Sequence, residues 1–366
     1  MHPSVLLVGA RGFGVVHLRN LERLRDRVRL IGLADPHGAP AEGFGSGVPA
    51  WPSLDAALDA GLDPDIVVIA TPTNTHFALA ERALAHGADV YLEKPPVAAM
   101  EQFTRLCEAQ QRSGRAVQIG FQSFGSHALD AIAALGPATS VATWAAWSRD
   151  TAYWTRSAWA GRRTLGDAPV VDGVLTNALA HAIATSLRIA GAHRAEDVAA
   201  IELDQYRAND IDADDTSSVR ITLADGRRVT AALALTAQQG ESAPLIEVRT
   251  AGSSVVFAYT DDDLTHPDGR VEHTGRTDLF EQLLDHRETG AALLSPLADT
   301  GAYMAVLEAV RAAPDATRIA AEHIGRDESG ASPRVFVPDV ADWVERTAKA
   351  GQLFHEAGAP FAVQRG

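Results

Sequence analysis

Short apolar runs alternate with helical stretches through the first 122 residues, and the first run ends in a glycine-rich turn, Gly9-Ala10-Arg11-Gly12-Phe13-Gly14. Few folds bury strands spaced in this way. Val5-Leu6-Leu7-Val8 is apolar throughout, as a strand covered on both faces must be. A helix over 15–24 follows, then a strand over 28–34 and a short helix over 54–60 begun by Ser53. Ile66-Val67-Val68-Ile69-Ala70 is the strongest strand signal in the chain. Next come a helix over 75–86 stopped by Gly87, a strand over 89–92, a helix over 98–113 stopped by Gly114, and a strand over 116–121. Strands and helices joined by connections of roughly 2–6 residues predict an α/β unit with a doubly wound parallel sheet.

Beyond residue 122 the rhythm changes. Helices are expected over 128–135, 175–189, 279–288, 303–312 and 340–355, and a strand over 141–147. Four strands are expected between 198 and 259, with Asp225-Gly226 as a hairpin turn. Residues 315–334 read as a polar loop. A chain of 366 residues is long enough for two domains, and the break falls at 122: a parallel-sheet domain over 1–122 and an α+β domain over 123–366 with a large open mixed or antiparallel sheet.

Composition narrows the partners. Lys and Arg total 32 against 47 Asp and Glu, a formal charge of −15, which opposes binding to nucleic acid or anionic membranes but leaves a small anionic substrate open. The single cysteine, Cys107, forbids an intramolecular disulfide and fits a reducing, cytoplasmic setting. No apolar run approaches the roughly 18 residues of a membrane span, and no signal peptide is expected. No metal site is expected: the 13 histidines lack His-Glu-x-x-His spacing, and Asn209–Asp215 lacks the glycine and glutamate of a calcium loop.

The glycine-rich turn occupies the place of the dinucleotide fingerprint G-x-G-x-x-G, between first strand and first helix. Gly9 and Gly14 match its first and third glycines, while Arg11 stands at the second with Gly12 beside it. The Arg11 side chain must swing aside or clasp the phosphates itself. Asp35 ends the second strand, 21 residues past Gly14, where a carboxylate accepts from the adenosine ribose and repels a 2′-phosphate. NAD is therefore expected over NADP, since no Lys or Arg directly follows Asp35. The alternative role for Asp35 is a turn residue before Pro36.

Three further segments carry a family resemblance: Ile69-Ala70-Thr71-Pro72-Thr73-Asn74-Thr75-His76, Gly87-Ala88-Asp89-Val90-Tyr91-Leu92-Glu93-Lys94-Pro95, and Gly120-Phe121-Gln122. With Gly9–Gly14 and His17, the chain resembles the Gfo/Idh/MocA oxidoreductases, the glucose–fructose oxidoreductase and inositol dehydrogenase family. The resemblance is close over the first domain and looser in the second, where it rests on 177–181, on Asp214-Asp215-Thr216 and on the hairpin that follows. It implies a Rossmann domain followed by a substrate-binding and oligomerisation domain, whose open sheet face pairs subunits into a homodimer or homotetramer. It also implies a cofactor-binding set of Gly9, Arg11, Gly12, Phe13, Gly14, Asp35, Thr71, Pro72, Asn74, His76, Glu93, Lys94 and Gln122.

The resemblance implies chemistry at Lys94 and His181. Hydride transfer from an alcohol needs a group that takes the hydroxyl proton. The family lysine matching Lys94 contacts the reacting oxygen; the other reading is a solvated lysine paired with Glu93. Many members carry Asp-x-x-x-His on a helix, and here Asn177 and His181 keep the spacing. An amide can hold the imidazole but cannot stabilise its cation by charge. Asp172 either restores a carboxylate to the site, binds substrate, or caps the helix near Gly173. Arg149, Tyr153, Trp154, Arg156 and Trp159 mix aromatic faces with guanidiniums, which suits a sugar or cyclitol or, alternatively, a packed loop. The expectation is an NAD-dependent oxidoreductase acting on a sugar, ketosugar or cyclitol, with Lys94 and His181 as proton relay and Asn177 orienting His181. The alternatives are an NAD-recycling, redox-assisted glycosidase or lyase, and a non-catalytic binder of dinucleotide and sugar.

Overall fold

A computed structural model describes residues 2–363. It contains two compact units: Met1–Phe121 with Asp278–Ala298, and Gln122–Thr277 with Asp299–Gly366. Among the described residues no helix is long and apolar enough to cross a membrane.

The first unit is built on six parallel strands: β1 (Ser4–Val8), β2 (Arg29–Ala34), β3 (Ala50–Trp51), β4 (Ile66–Ile69), β5 (Asp89–Leu92) and β6 (Val117–Ile119). Their order is β3-β2-β1-β4-β5-β6, so the direction of winding reverses between β1 and β4. In open α/β sheets the ligand crevice lies outside the strand C-termini at that switch point. Helices α1 (Gly14–Arg23), α2 (Leu54–Asp59), α3 (Thr73–His86) and α4 (Met100–Ser113) make the crossovers. Ser53 caps α2 through the Ala56 N–H, and Gly87 and Gly114 end α3 and α4 in the left-handed conformation. β1, β4 and β5 are buried at every position, which explains why they are apolar or nearly so without alternation.

The sequence places 278–298 in the second domain; the structure places it in the first. Asp278 caps the helix over Leu279–Thr289, which buries Leu279, Phe280, Leu283 and Leu284 in one cluster with Leu7, Leu21, Leu24 and Tyr91. Each such side chain contributes roughly 1.5–3 kcal/mol of burial. Gln118 Nε2 donates to Gln282 Oε1 at 2.6 Å, and the Ile119 N–H donates to the Ser295 carbonyl at 2.8 Å, so this segment also closes the β6 edge. An amphipathic pattern shows that a helix buries one face; it does not show which sheet receives it.

In the second unit, helix α5 (Ala128–Ala133) leads into strand β7 (Ser140–Ser148), followed by α6 (Thr151–Thr155) and a two-stranded turn of β8 (Thr164–Leu165) and β9 (Ala168–Pro169). Helix α7 (Ala180–Ile189) precedes β10 (Val198–Arg207), β11 (Thr216–Leu223), β12 (Arg228–Ala234), β13 (Thr236–Glu241), β14 (Leu245–Arg249), β15 (Ser254–Ala258), β16 (Asp263–Thr265) and β17 (Val271–His273). After the helix that joins the first unit, α8 (Leu279–Thr289), come α9 (Gly301–Ala312), β18 (Thr317–Arg318), the hairpin of β19 (Gly325–Asp327) and β20 (Arg334–Phe336), and α10 (Val340–Lys349). The mixed ten-stranded sheet runs β17-β16-β15-β14-β7-β12-β11-β10-β18, with β13 also on β7. β7 pairs parallel with β12 and antiparallel with β14, and Asp225-Gly226 turns β11 into β12 as expected.

Three expectations change here. The polar stretch 315–334 contains β18 and most of the β19–β20 hairpin. The final helix stops at Lys349, and residues 353–362 continue as a docked tail. The third concerns the sheet face reserved for subunit pairing, which the chain covers itself. Val340, Val344 and Ala348 of α10, with Phe354, Ala359 and Phe361, share one buried cluster with Trp144, Tyr206, Ala232 and Ala234 of the sheet. The tail is pinned by polar bonds as well. The Phe354 N–H donates to Ser218 Oγ (2.9 Å), the His355 N–H to the fully buried Asp204 carboxylate (2.9 Å), and Arg220 pairs with both Glu356 and Glu202. The expected reason for self-association, an uncovered face, is therefore absent over these strands.

Candidate active site

At the end of β1 the backbone turns with Gly9 at φ +86°. A Cβ on Gly9 would lie 2.5 Å from the Ala70 carbonyl, and one on Gly14 would lie 2.0 Å from the Gly9 carbonyl. Only glycine permits the turn and the close helix–strand approach. Arg11, Gly12 and Phe13 are exposed, and Phe13, the N-cap of α1, makes no side-chain capping bond. The Gly14, Val15 and Val16 N–H groups are taken by the Arg11, Gly12 and Phe13 carbonyls, so a cradle for an anion would be formed by the exposed turn itself, at the positive end of the α1 dipole. Arg11 leaves that cradle clear. Its side chain, 63% exposed, reaches across to the Asp35 carboxylate (3.9 Å) and the His37 carbonyl (3.2 Å). Asp35 is buried at the end of β2 and accepts from the Ala10 N–H (2.9 Å) and the His37 N–H (2.8 Å). The carboxylate thus ties the glycine turn to the loop after β2. Each oxygen retains a further lone pair for a ligand hydroxyl.

Across the switch point, Thr71 and Pro72 open α3, again without a side-chain cap. Asn74 Oδ1 is buried there with no hydrogen-bond partner. Thr71 Oγ1 bonds Thr75 Oγ1 at 2.6 Å. His76 is fully enclosed, and burial pulls its pKa below the ordinary imidazole value. Its Nε2 lies 2.8 Å from the Thr71 carbonyl and its Nδ1 2.9 Å from the Pro95 carbonyl, so the ring clips the loop after β4 to the loop after β5. Lys94 follows β5, is half-buried, and precedes Pro95 through a cis peptide bond. Glu93 Oε2 accepts from the Lys94 N–H at 3.4 Å. Its carboxylate is buried 2.8 Å from His17 Nε2, under Gly120, where a Cβ would come within 3.0 Å of it. Phe13 and Tyr91 flank His17 edge-on.

The second unit holds the remaining candidates. Gln122 opens it, in a 3-10 turn over Gln122–Gly125. The expected single helix over 175–189 is broken. Val174–Ala178 is a π-turn, in which Leu179 N–H reaches back to the Val174 carbonyl, and α7 starts at Ala180. Asn177 and His181 are thus four apart but do not share one regular α-helical face. Asn177 Nδ2 donates to Asp172 Oδ1, and Asp172, 4% exposed, also accepts from the Gly161 N–H (2.7 Å) and pairs with Arg156 (3.2 Å). Asp172 thus lies beside Asn177, and Gly173 holds the N-cap position of the turn. Val171, just before it, sits at φ +49°, a strained conformation for a β-branched residue.

His181 is half-buried. Its Nδ1 lies 3.3 Å from Ser123 Oγ, and Thr185 Oγ1 donates to that same oxygen at 2.7 Å. With one lone pair occupied by Thr185, Ser123 Oγ keeps a second lone pair and its proton, so it serves Nδ1 in either tautomer. Ser123 and Thr185 escaped the sequence reading, as did the role of Asp214. Asp214 is fully buried, accepts from Ser217 Oγ (2.7 Å), and lies so close under Gly173 that a Cβ there would be 1.9 Å from Oδ1. Burial lifts its pKa to about 6. Hydroxyl relays and buried acids of this kind have no fixed spacing for a motif to catch.

Arg149, Tyr153, Arg156 and Trp159 form a ladder with Trp147. Arg149 lies over Trp147 (4.8 Å) and Tyr153 (5.0 Å), and Arg156 over Tyr153 (3.8 Å) and Trp159 (4.7 Å). Trp154 is buried edge-on to Tyr153. The aromatic faces are engaged by the chain's own guanidiniums, so the packed-loop reading describes much of this segment. Among the described residues no group of three or more His, Cys, Asp or Glu is placed to hold a metal ion.

The strand order, the glycine turn at the switch point and the buried acid after β2 define a dinucleotide-binding Rossmann unit. Residues 4–121 match the Gfo/Idh/MocA family model, described as an oxidoreductase family with an NAD-binding Rossmann fold. Inositol 2-dehydrogenase of Streptomyces avermitilis is 35% identical over 122 residues, covering 32% of this chain and 35% of that protein. The scyllo-inositol 2-dehydrogenase (NAD(+)) of Bacillus subtilis is 28% identical over 119 residues, 31% of this chain and 34% of that protein. The chain thus spans about a third of the length of the curated relatives it matches. Over the whole fold, the WlbA dehydrogenase of Bordetella pertussis, solved with NADH and UDP-GlcNAcA, superimposes with a TM-score of 0.71 at 18% identity, covering 85% of this chain and 95% of that one.

Proposed function

We propose that this protein is an NAD-dependent oxidoreductase that moves a hydride to or from a carbohydrate-like substrate, a sugar, ketosugar or cyclitol. The observation that carries the proposal is the exposed glycine turn at the β1–β4 switch point: Gly9–Gly14 ahead of α1, with Asp35 buried beside it and the Arg11 side chain reaching toward Asp35 and His37. The orphaned Asn74 Oδ1 at the start of α3 adds a polar group awaiting a partner. NAD, when bound, supplies the hydride acceptor or donor. The chain supplies the proton chemistry. His181 is the group that exchanges the proton, oriented through its Nδ1 contact with Ser123, and Lys94 stands at a strand C-terminus where such sheets bind ligands. Asn177, fixed by Asp172, positions rather than ionises. The substrate class is proposed from the curated relatives, which are named as inositol dehydrogenases. A reducing, cytoplasmic setting is proposed on the single cysteine.

The test is a parallel fluorescence titration with NADH and NADPH. Saturable binding with NADH preferred is the expected result. Tighter NADPH binding, lost in Arg11→Ala, would move the ribose-reading role from Asp35 to Arg11. No binding of either nucleotide overturns the oxidoreductase reading.

A further inference from the structure

A cavity of about 710 Å³ opens in the second unit, away from the residues assigned above to proton chemistry: neither His181, Asn177 nor Asp172 lines it. Three elements wall it: the end of β7 with α6, the end of β13, and the β19–β20 hairpin. They are fastened to one another. The Thr151 N–H donates to the Pro333 carbonyl (2.8 Å), the Ala152 N–H to Ser332 Oγ (2.9 Å), and the Val337 N–H to the Thr236 carbonyl (2.9 Å). The cavity is therefore a built feature rather than a gap between loops.

Its chemistry is specific. Arg149 and Arg334 line it, and each is already neutralised by an acid on the same wall, Arg149 by Glu241 and Arg334 by Asp327 (2.5 Å). Ser329 and Arg334 hold Asp327 ionised, its pKa pulled down to about 2. Asp150 adds a third carboxylate, so two cations face three anions. An anionic ligand gains nothing in such a wall. The two Nε–H groups are enclosed within the wall, but the Arg149 and Arg334 side chains remain 15% and 31% exposed beside Glu241 and Asp327, so each ion pair sets guanidinium donors next to carboxylate acceptors. Side-chain hydroxyls of Tyr153 and Ser332 complete the lining. Paired donors and acceptors at short spacing match vicinal hydroxyl groups, each of which both donates and accepts. The volume falls within the range of small-molecule pockets, roughly 300–1,000 Å³.

We propose that this cavity is a glycosyl subsite, which binds a neutral, polyhydroxylated ring belonging to a substrate of at least two rings. The link to a reacting second ring rests on the oxidoreductase reading; binding of a neutral ring in the cavity does not. Tyr153 connects the two regions, since Arg156 stacks on its ring and pairs with the Asp172 that holds Asn177.

The experiment is calorimetric titration of the full chain with neutral mono- and disaccharides, their uronic acids and their phosphates, in parallel with NADH. Ala331→Trp fills the cavity from an exposed lining position, and Glu241→Gln removes one acceptor charge without changing shape. A neutral disaccharide should bind, at least tenfold more weakly to Ala331→Trp and more weakly to Glu241→Gln, with NADH affinity unchanged. Absence of binding by every neutral sugar, binding indifferent to both variants, or tighter binding of the anionic sugars overturns the subsite. If Ala331→Trp also disturbs NADH binding, Glu241→Gln alone decides. Failure of NADH to bind the unaltered protein overturns the oxidoreductase reading and leaves the sugar result standing by itself.

Discussion

The side-chain amide of Asn177 donates to the buried carboxylate of Asp172. The chain thus keeps a carboxylate beside the position where the family resemblance expects one, but supplies it from five residues upstream and engages it with Arg156 and the Gly161 N–H. Restoring an acid at 177 should therefore harm the protein. Asn177→Asp sets two carboxylates in hydrogen-bond range, which raises the pKa of one of them. A raised carboxylate contributes stability only while protonated, so the loss grows as pH rises. Chemical denaturation should show Asn177→Asp destabilised by about 1–3 kcal/mol at pH 8 and by less at pH 5. An equal loss at both pH values would show that the two side chains are not coupled.

Asp214 gives a pH signature of its own. Its folded pKa of about 6 lies above the ordinary carboxylate value, because burial disfavours its charge. The folded state holds this proton more tightly than the unfolded state. The stabilising contribution is complete below about pH 4 and is lost as pH rises through 6, an effect of about 3 kcal/mol by pH 7. Asp214→Asn cannot titrate. The stability of the unaltered protein, taken relative to this variant, should fall between pH 4 and pH 7. A flat difference over that range would refute the raised pKa.

The first sheet was legible because each of its strands reports its own burial. Ile66–Ile69 is apolar on both faces since helices cover both, and Gly87 and Gly114 stand where helices must end. The glycine turn was legible for a steric reason, since no other residue fits against Ala70 or under Gly9. What escaped depends on long-range packing. Leu279–Thr289 looks alike whichever domain it joins. The π-turn at Val174–Ala178 begins beside Gly173, which packs on Asp214 across 41 positions of sequence. Glu93 also finds His17, 76 residues away, a contact that no spacing announces.

Ser123 should act on His181 and on little else. Its hydroxyl meets His181 Nδ1 at 3.3 Å and accepts from Thr185 at 2.7 Å, and we predict that Ser123 is the donor to Nδ1. A hydrogen bond of this kind is worth about 0.5–1.5 kcal/mol, so Ser123→Ala should lower kcat roughly 3–10-fold with KM little changed. Nitrogen-15 chemical shifts provide a readout independent of turnover. The unaltered protein should show His181 protonated on Nε2, and Ser123→Ala a mixture of tautomers. Protonation on Nδ1 in the unaltered protein would reverse the assignment.

The covered sheet face makes a prediction about assembly. Phe354 is fully buried against Tyr206 and Phe361, and α10 lies over β7 and β12 through Val340, Val344 and Ala348. Phe354→Ala should cost about 3–5 kcal/mol, since a large ring leaves a cavity in a well-packed cluster. Val344→Asp is more informative, because it sets an unpaired charge against Trp144 and the small residues Ala232 and Ala234 and should lift the helix from the sheet. The exposed apolar face then lacks a cover within the chain and seeks one on another molecule. Sedimentation velocity should show a rise in mass for Val344→Asp relative to the unaltered protein. A folded variant with unchanged mass would mean that the face stays covered without α10, and that the tail at 353–362 is sufficient to cover it.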